Sequence, residues 1–90
     1  MDETWVYVVV QDPGGNERFV GQEDLEKKIS FIPCFLTKEA AQQCLFRLTL
    51  DKTRKYEVQA IIFEDLRRHA KENGFLIYQL DDDGKIIHMI

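Results

Sequence analysis

The feature that most constrains the fold is the segment from Ile29 to Leu48, in which a strand runs through a proline into a capped helix. Isoleucine and phenylalanine before Pro33 favour a buried strand, whereas alanine, glutamine and leucine after Thr37 favour a helix. The Thr37 hydroxyl is placed to accept a backbone N–H, and Glu39 lies in the first turn, where the helix dipole favours an acid. This junction predicts a domain that mixes strands and helices, and it indicates no particular reaction.

The remaining pattern predicts strands at both ends of the chain. Both alternating sets of residues 4–11 are apolar, which is typical of a central strand covered on both faces. The Asp12-Pro13-Gly14 turn should reverse the chain into a strand over 17–21, and residues 22–28 read as a loop or one helical turn. Alternation and turn signals predict further strands over 29–35, 56–62, 75–80 and 85–90, and a helix over 63–73. The prediction is a single α+β domain over residues 1–90, in the order βββαβαββ, with two helices on one mixed sheet of five to six strands. Right-handed crossovers through each helix should lay parallel strands side by side.

Charge and cysteine content limit the function classes. The net charge of −4 and the pI of about 5.1 predict repulsion of nucleic acid and of anionic membranes. A basic cluster within 47–55 lacks the aromatic residues that a nucleic-acid groove uses. The acidic start, Met1 to Thr4, is unlike a signal peptide, and the apolar run after it is too short to span a bilayer. Two cysteines without a signal peptide fit a reducing compartment, so we expect a cytoplasmic protein.

Cys34 is the candidate for thiol chemistry, because it lies near the predicted start of a helix, where the dipole lowers a thiol pKa. A catalytic thiol also needs a base, and no motif places either His69 or His88 beside it. Cys44 falls on the core face of the helix and is expected to be inert. The alternative interpretation is that Cys34 has no chemical role and is a small residue of the core.

No motif in the sequence predicts a metal or cofactor. The two cysteines and two histidines are 10, 25 and 19 residues apart in chain order, which matches no compact zinc module. Asp81-Asp82-Asp83-Gly84 lacks the further ligands of a calcium loop and predicts a hairpin turn. We therefore predict neither a metal site nor a cofactor, although a small ligand is not excluded.

Apolar residues without an obvious place in the core favour an interaction surface. Phe46 and Leu50 lie four residues apart and nearly opposite the core face of the first helix. An alternative is that the helix ends near Leu48 and that Leu50 folds back into the core. Ile87 and Met89 belong to an apolar final strand without polar protection. A second copy of the chain or another protein could cover these four residues.

Two segments carry a resemblance to a known family. Ile32-Pro-Cys-Phe-Leu-Thr-Lys-Glu-Ala-Ala41 and the glycine-led strand Gly74-Phe-Leu-Ile-Tyr78 resemble segments of SseB-like proteins, small bacterial domains linked to enhanced serine sensitivity. The likeness covers about half of the chain. It implies an α+β fold and an interaction or regulatory role without an established enzymatic activity.

Together these patterns predict a non-enzymatic interaction or regulatory module that self-associates as a homodimer or binds a protein partner. A second hypothesis is a regulatory domain that senses a small metabolite, and no residue of the sequence distinguishes it from the first. The alternative from a different class is a small-ligand-binding protein or thiol-dependent enzyme centred on Cys34.

Overall fold

The computed structural model describes residues 4–90, so the acidic start over Met1–Glu3 lies outside the described residues. Within them the chain forms seven strands, two α-helices and one 3-10 turn. Their bounds are β1 Trp5–Gln11, β2 Arg18–Phe19, β3 Gln22–Asp24, β4 Ile29–Cys34, α1 Lys38–Cys44, the 3-10 turn Leu45–Arg47, β5 Tyr56–Ile62, α2 Phe63–Asn73, β6 Leu76–Leu80 and β7 Ile86–Met89. Neither helix of this part of the chain is long and apolar enough to cross a membrane.

The predicted α+β class is confirmed, but the strands form two sheets instead of one. The orders are β2-β1-β5 and β3-β4-β6-β7, seven strands in place of the five or six expected. The additional strand is β3, which the sequence indicated as a loop or helical turn. Its residues are polar, and they become a strand because they pair with β4, with Asp24 opposite Ile29. Lys28 adopts a positive φ of 56° in the turn between them.

Two backbone hydrogen bonds join the sheets edge to edge. The Tyr7 N–H donates to the Phe35 carbonyl at 2.8 Å, and the Phe35 N–H donates to the Tyr7 carbonyl at 2.9 Å. The Val9 carbonyl accepts from Val20 on this same edge of β1, since alternate residues of a strand face the same edge. β5 occupies the other edge along all seven residues of β1. β1 is therefore central, as predicted.

The connections through the helices differ from the predicted crossovers. β5 follows α1 but joins the other sheet, where it pairs antiparallel with β1. Neither helix therefore connects neighbouring parallel strands. The parallel neighbours are β4 and β6, which are separated in the chain by both helices, and every other strand pair is antiparallel.

The helices cover opposite faces of the sheets. Ile77 belongs to the buried cluster under α2 together with Leu66 and Ala70. Its neighbour Tyr78 belongs to the cluster under α1, together with Ala41 and other side chains. Adjacent residues of a strand point to opposite faces, so each face has its own cluster and its own helix. We call these the α1 face and the α2 face.

The predicted helix and turn signals are confirmed by the geometry. The Thr37 hydroxyl accepts a hydrogen bond from the Ala40 N–H at 3.1 Å at the start of α1. α2 begins without a side-chain cap, and it ends at Gly74, which has φ 76°. The Gly15 N–H donates to the Asp12 carbonyl at 3.0 Å, and Gly14 has φ 80°, so the first hairpin turns where the sequence indicates.

Candidate functional site

β7 is an edge strand whose side chains are all exposed. Within residues 4–90 it pairs with β6 alone, at the end of the second sheet. Ile87 and Met89, the two predicted interaction residues here, are 58% and 56% exposed. Ile86 and Ile90 are also exposed apolar side chains, which the sequence analysis did not single out. This end of the sheet therefore presents a strip of four exposed apolar side chains with His88 between them, and we call the segment the β7 edge (Ile86–Ile90).

The pairing with β6 shows how the β7 edge is oriented. Ile86 lies opposite Leu80 and Met89 opposite Tyr78, so both lie on the α1 face. The register shifts between Gln79 and Leu80, which leaves Ile87 without a partner of its own. The Ile90 N–H donates to the Ile77 carbonyl at 2.9 Å. Because the backbone polar groups of adjacent residues face opposite edges of a strand, those of Met89 point away from β6.

Phe46 is the most exposed large apolar side chain of residues 4–90, at 94%. α1 ends at Cys44, and Phe46 is the middle residue of the 3-10 turn that follows. This turn lies beside the β6–β7 connection, since the Arg47 guanidinium is 3.6 Å from the Asp83 carboxylate. The prediction that Phe46 lies outside the core is therefore supported, and its turn flanks the start of β7.

Leu50 follows the alternative that the sequence left open. It is partly buried, and the helical segment ends before it, at Arg47. The Gln22 side chain holds the neighbouring backbone: its Nε2 donates to the Thr49 carbonyl and its Oε1 accepts from the Thr49 N–H, both at 2.8 Å. The prediction that Leu50 shares an exposed helix face with Phe46 is wrong, because the helical segment ends before Leu50.

A groove of about 580 Å³ lies on the α1 face between β3 and the 3-10 turn. Phe31, Cys44, Leu48 and Leu80 form an apolar floor. The β3 side carries Leu25 and three carboxylates, Glu23, Asp24 and Glu26, and the opposite side carries the Arg47–Asp83 pair and Ile86. We call this the β3 groove. The sequence pattern does not predict this groove, because the polar residues of β3 carry no strand signal.

Cys34 is buried on β4, where it packs in the cluster of the α2 face. Burial raises the pKa of the Cys34 thiol from 9.0 to about 12, which is the opposite of what a nucleophile needs. Cys34 pairs across the sheet with Gln79, and Gln79 pairs with His88. At about 4.8 Å per strand, His88 is roughly 10 Å away. These facts count against the thiol alternative.

Three other side chains that could take part in chemistry, His69, Cys44 and Asp81, are engaged in local structure. The His69 ring packs edge-on against Phe19, with ring centroids 4.6 Å apart. Burial raises the pKa of the Cys44 thiol as well. The Asp81 carboxylate accepts backbone hydrogen bonds from Asp83 and Lys85, each at 2.9 Å, so the acidic run forms the predicted hairpin turn.

The basic cluster of residues 47–55 is partly engaged in ion pairs. Arg47 is paired with Asp83, and the Arg54 guanidinium lies 3.1 Å from the Asp12 carboxylate. Arg54 also approaches Asp51, whose pKa is lowered by hydrogen bonds from Thr53. Two of the four cations of this cluster thus face carboxylates of the same chain, which adds no support for a nucleic-acid groove; the four are Arg47, Lys52, Arg54 and Lys55.

Comparison with known proteins gives no relative for this chain. No family model matches it, and neither the curated proteins nor the solved structures contain a significant match. The resemblance of Ile32–Ala41 to SseB-like proteins therefore stays a prediction. The function has to be argued from the surfaces described above.

Proposed function

We propose that this protein is a non-enzymatic protein–protein interaction module that self-associates through the β7 edge. The observation that carries the proposal is an edge strand with four exposed apolar side chains, Ile86, Ile87, Met89 and Ile90. Natural edge strands usually carry charges, prolines or covering segments that prevent pairing with another chain. Among residues 4–90, the polar protection of this edge is limited to the register shift, the exposed His88 and the Lys27 ammonium group beside the Met89 sulfur.

A second copy of the chain is the occupant that fits this edge. An edge strand can pair antiparallel with itself about a two-fold axis, so that each copy supplies the same residues. Unpaired backbone groups such as those of Met89 would then gain hydrogen-bond partners. The side chains of the strip include no carboxylate, so pairing does not bring acidic side chains together even though each copy carries a net charge of −4. Phe46 flanks the start of the strip and adds apolar area on the same side.

The size of the strip sets the expected affinity. Four half-exposed apolar side chains offer on the order of 400 Å² per copy, about half of what a standard stable interface buries on each partner. Association also costs several kcal/mol of translational and rotational freedom. We therefore expect a dimer with a roughly micromolar or weaker dissociation constant, which forms and dissociates with concentration.

Sedimentation equilibrium over a wide range of protein concentrations tests the proposal. The apparent mass should rise from 10.6 kDa towards twice that value. Ile87→Lys should hold the mass at the monomer value, because it places a charge on the pairing edge, and Phe46→Glu should weaken association while leaving the fold intact.

Leu36→Lys is the matched control. Leu36 is 59% exposed, nearly the same as Ile87. It follows Phe35, which bonds to β1 and not to the strands next to β7, so this variant should associate like the wild type. A wild type that remains a monomer at every concentration would overturn the proposal. If Ile87→Lys associates normally while the wild type dimerises, the interface lies elsewhere.

A further inference from the structure

We infer that the β3 groove binds a basic peptide segment with an apolar anchor, in addition to the proposed self-association. The β3 groove adjoins the β7 edge and shares Ile86 with it, but Ile87 and Met89 do not line the groove, so variants at Ile87 can separate the two sites. We base the inference on the combination of an apolar floor with a rim that carries unneutralised negative charge.

The floor provides the anchor site. Phe31 and Leu80 lie on neighbouring strands of the α1 face, and Leu48 packs against the same buried cluster. Leu25 and Ile86 extend the apolar surface upward on the two sides, at 79% and 46% exposure. The β3 groove is open to solvent, and its volume of about 580 Å³ has room for one or two large apolar side chains.

The charge of the rim is uneven. Among the described residues that line the groove, Arg47 is the one cation, and it is already paired with Asp83. Among residues 4–90, Glu23, Asp24 and Glu26 make no ion pair with a cationic side chain. Lys27 in the adjacent turn directs its ammonium group to the Met89 sulfur at 3.5 Å.

A rim of this sign selects the charge of the partner. Lysine or arginine beside the anchor would meet the three carboxylates at close range, whereas an acidic segment would be repelled. Glu23 and Glu26 are exposed, so each ion pair contributes a modest and salt-sensitive amount. The floor therefore supplies most of the affinity, and the rim supplies the preference for a basic segment.

Fluorescence anisotropy with labelled synthetic peptides tests the inference. The probe carries a Phe-Leu pair flanked on each side by two lysines, in four versions with zero to three glycines between the pair and the lysines. Two control peptides replace the lysines by glutamates or the Phe-Leu pair by serines. We expect at least one basic version to bind with a dissociation constant of about 10–500 μM, and both controls to bind at least tenfold more weakly.

Paired variants of the protein separate the groove from general charge. Glu23→Gln with Glu26→Gln should weaken binding about 3- to 10-fold, and Leu25→Ser should weaken it as well. Asp24 is left unchanged because its carboxylate accepts a hydrogen bond from the Lys27 N–H. Glu57→Gln with Glu72→Gln removes the same charge from exposed positions on β5 and α2, and it should leave binding unchanged.

The outcomes distinguish this inference from the proposed function. No binding of any basic version at millimolar concentration, equal binding of the glutamate peptide, or equal loss in the two glutamine pairs would overturn the groove. The titration is repeated on Ile87→Lys, whose groove lining is intact. If Ile87→Lys still binds the peptide, the groove is supported independently of the dimer. If the wild type is a monomer and binds the peptide, the self-association proposal is refuted and the groove inference stands.

Discussion

The buried thiol of Cys34 predicts that the domain loses stability in alkaline solution. Burial raises the pKa of this thiol in the folded chain from 9.0 to about 12. Between those values the unfolded chain gives up its proton while the folded chain keeps it. The stabilisation from the neutral thiol is complete below pH 9 and declines as the pH rises towards 12.

The size of the effect follows from the two pKa values. At pH 8 the thiol is almost fully protonated in both states, and its contribution changes by less than about 0.1 kcal/mol. At pH 10 about nine-tenths of the unfolded chains are ionised but only about one-hundredth of the folded chains. The free energy of unfolding should therefore fall by about 1.3 kcal/mol from pH 8 to pH 10 on account of Cys34 alone.

Urea unfolding followed by far-UV circular dichroism, in reductant at pH 8 and pH 10, measures this loss. Trp5 is 55% exposed and makes a poor fluorescence reporter of the core. Cys34→Ala should be less stable at pH 8 by roughly 1 kcal/mol, because it removes a buried sulfur. It should also lose about 1.3 kcal/mol less than the wild type between the two pH values.

Cys44→Ala is the second variant, since burial raises the pKa of that thiol too. It should reduce the alkaline loss by a smaller amount than Cys34→Ala does. Equal losses in the wild type and in Cys34→Ala would refute the reasoning, because the Cys34 thiol would then titrate alike in the folded and unfolded chains.

Two further predictions concern the ends of the helices. Gly74→Ala should lower the free energy of unfolding by about 1 kcal/mol in urea, because φ is 76° and a Cβ there meets no atom within 4 Å, so only backbone strain changes. Gly15→Ala is its control and should be nearly neutral, and equal effects of the two would contradict the strain argument. Thr37→Ala should cost about 1 kcal/mol by removing the cap of α1. Thr49→Ala, whose hydrogen bonds use only the backbone, should cost clearly less.

The elements with a strong local signal could be predicted from the sequence. β1 has apolar residues on both alternating sets, and α2 has a periodic apolar face and a glycine stop, so each appears at the expected place. β3 could not be predicted, because Gln22, Glu23 and Asp24 have weak strand preference and become a strand only by pairing with β4. The division into two sheets depends in the same way on long-range pairing.

The candidate surfaces were predictable to a similar extent. Phe46 stood out by its position opposite the core face of α1, and Met89 by the unprotected final strand. The exposure of Leu50 depended on where the helix ends, which the sequence left open. Ile86 lies on the α1 face with Met89 because of a register shift that no sequence pattern marks. The β3 groove needs β3 itself, so its acidic rim could be recognised only after the fold was known.

The long separation between β1 and β5 has a consequence for how the chain acquires its structure during synthesis. β1 is translated first, but residues 56–62, which pair with it along its whole length, follow more than forty residues later. At 5–20 residues per second, that interval is roughly 2–10 s. During this interval the valine-rich strand β1 lacks its main pairing partner. β4 likewise lacks β6 until that strand has been made. The nascent chain thus exposes the apolar segments β1 and β4 until β5 and β6 have been made, which makes it a natural client for chaperones that bind extended apolar chains.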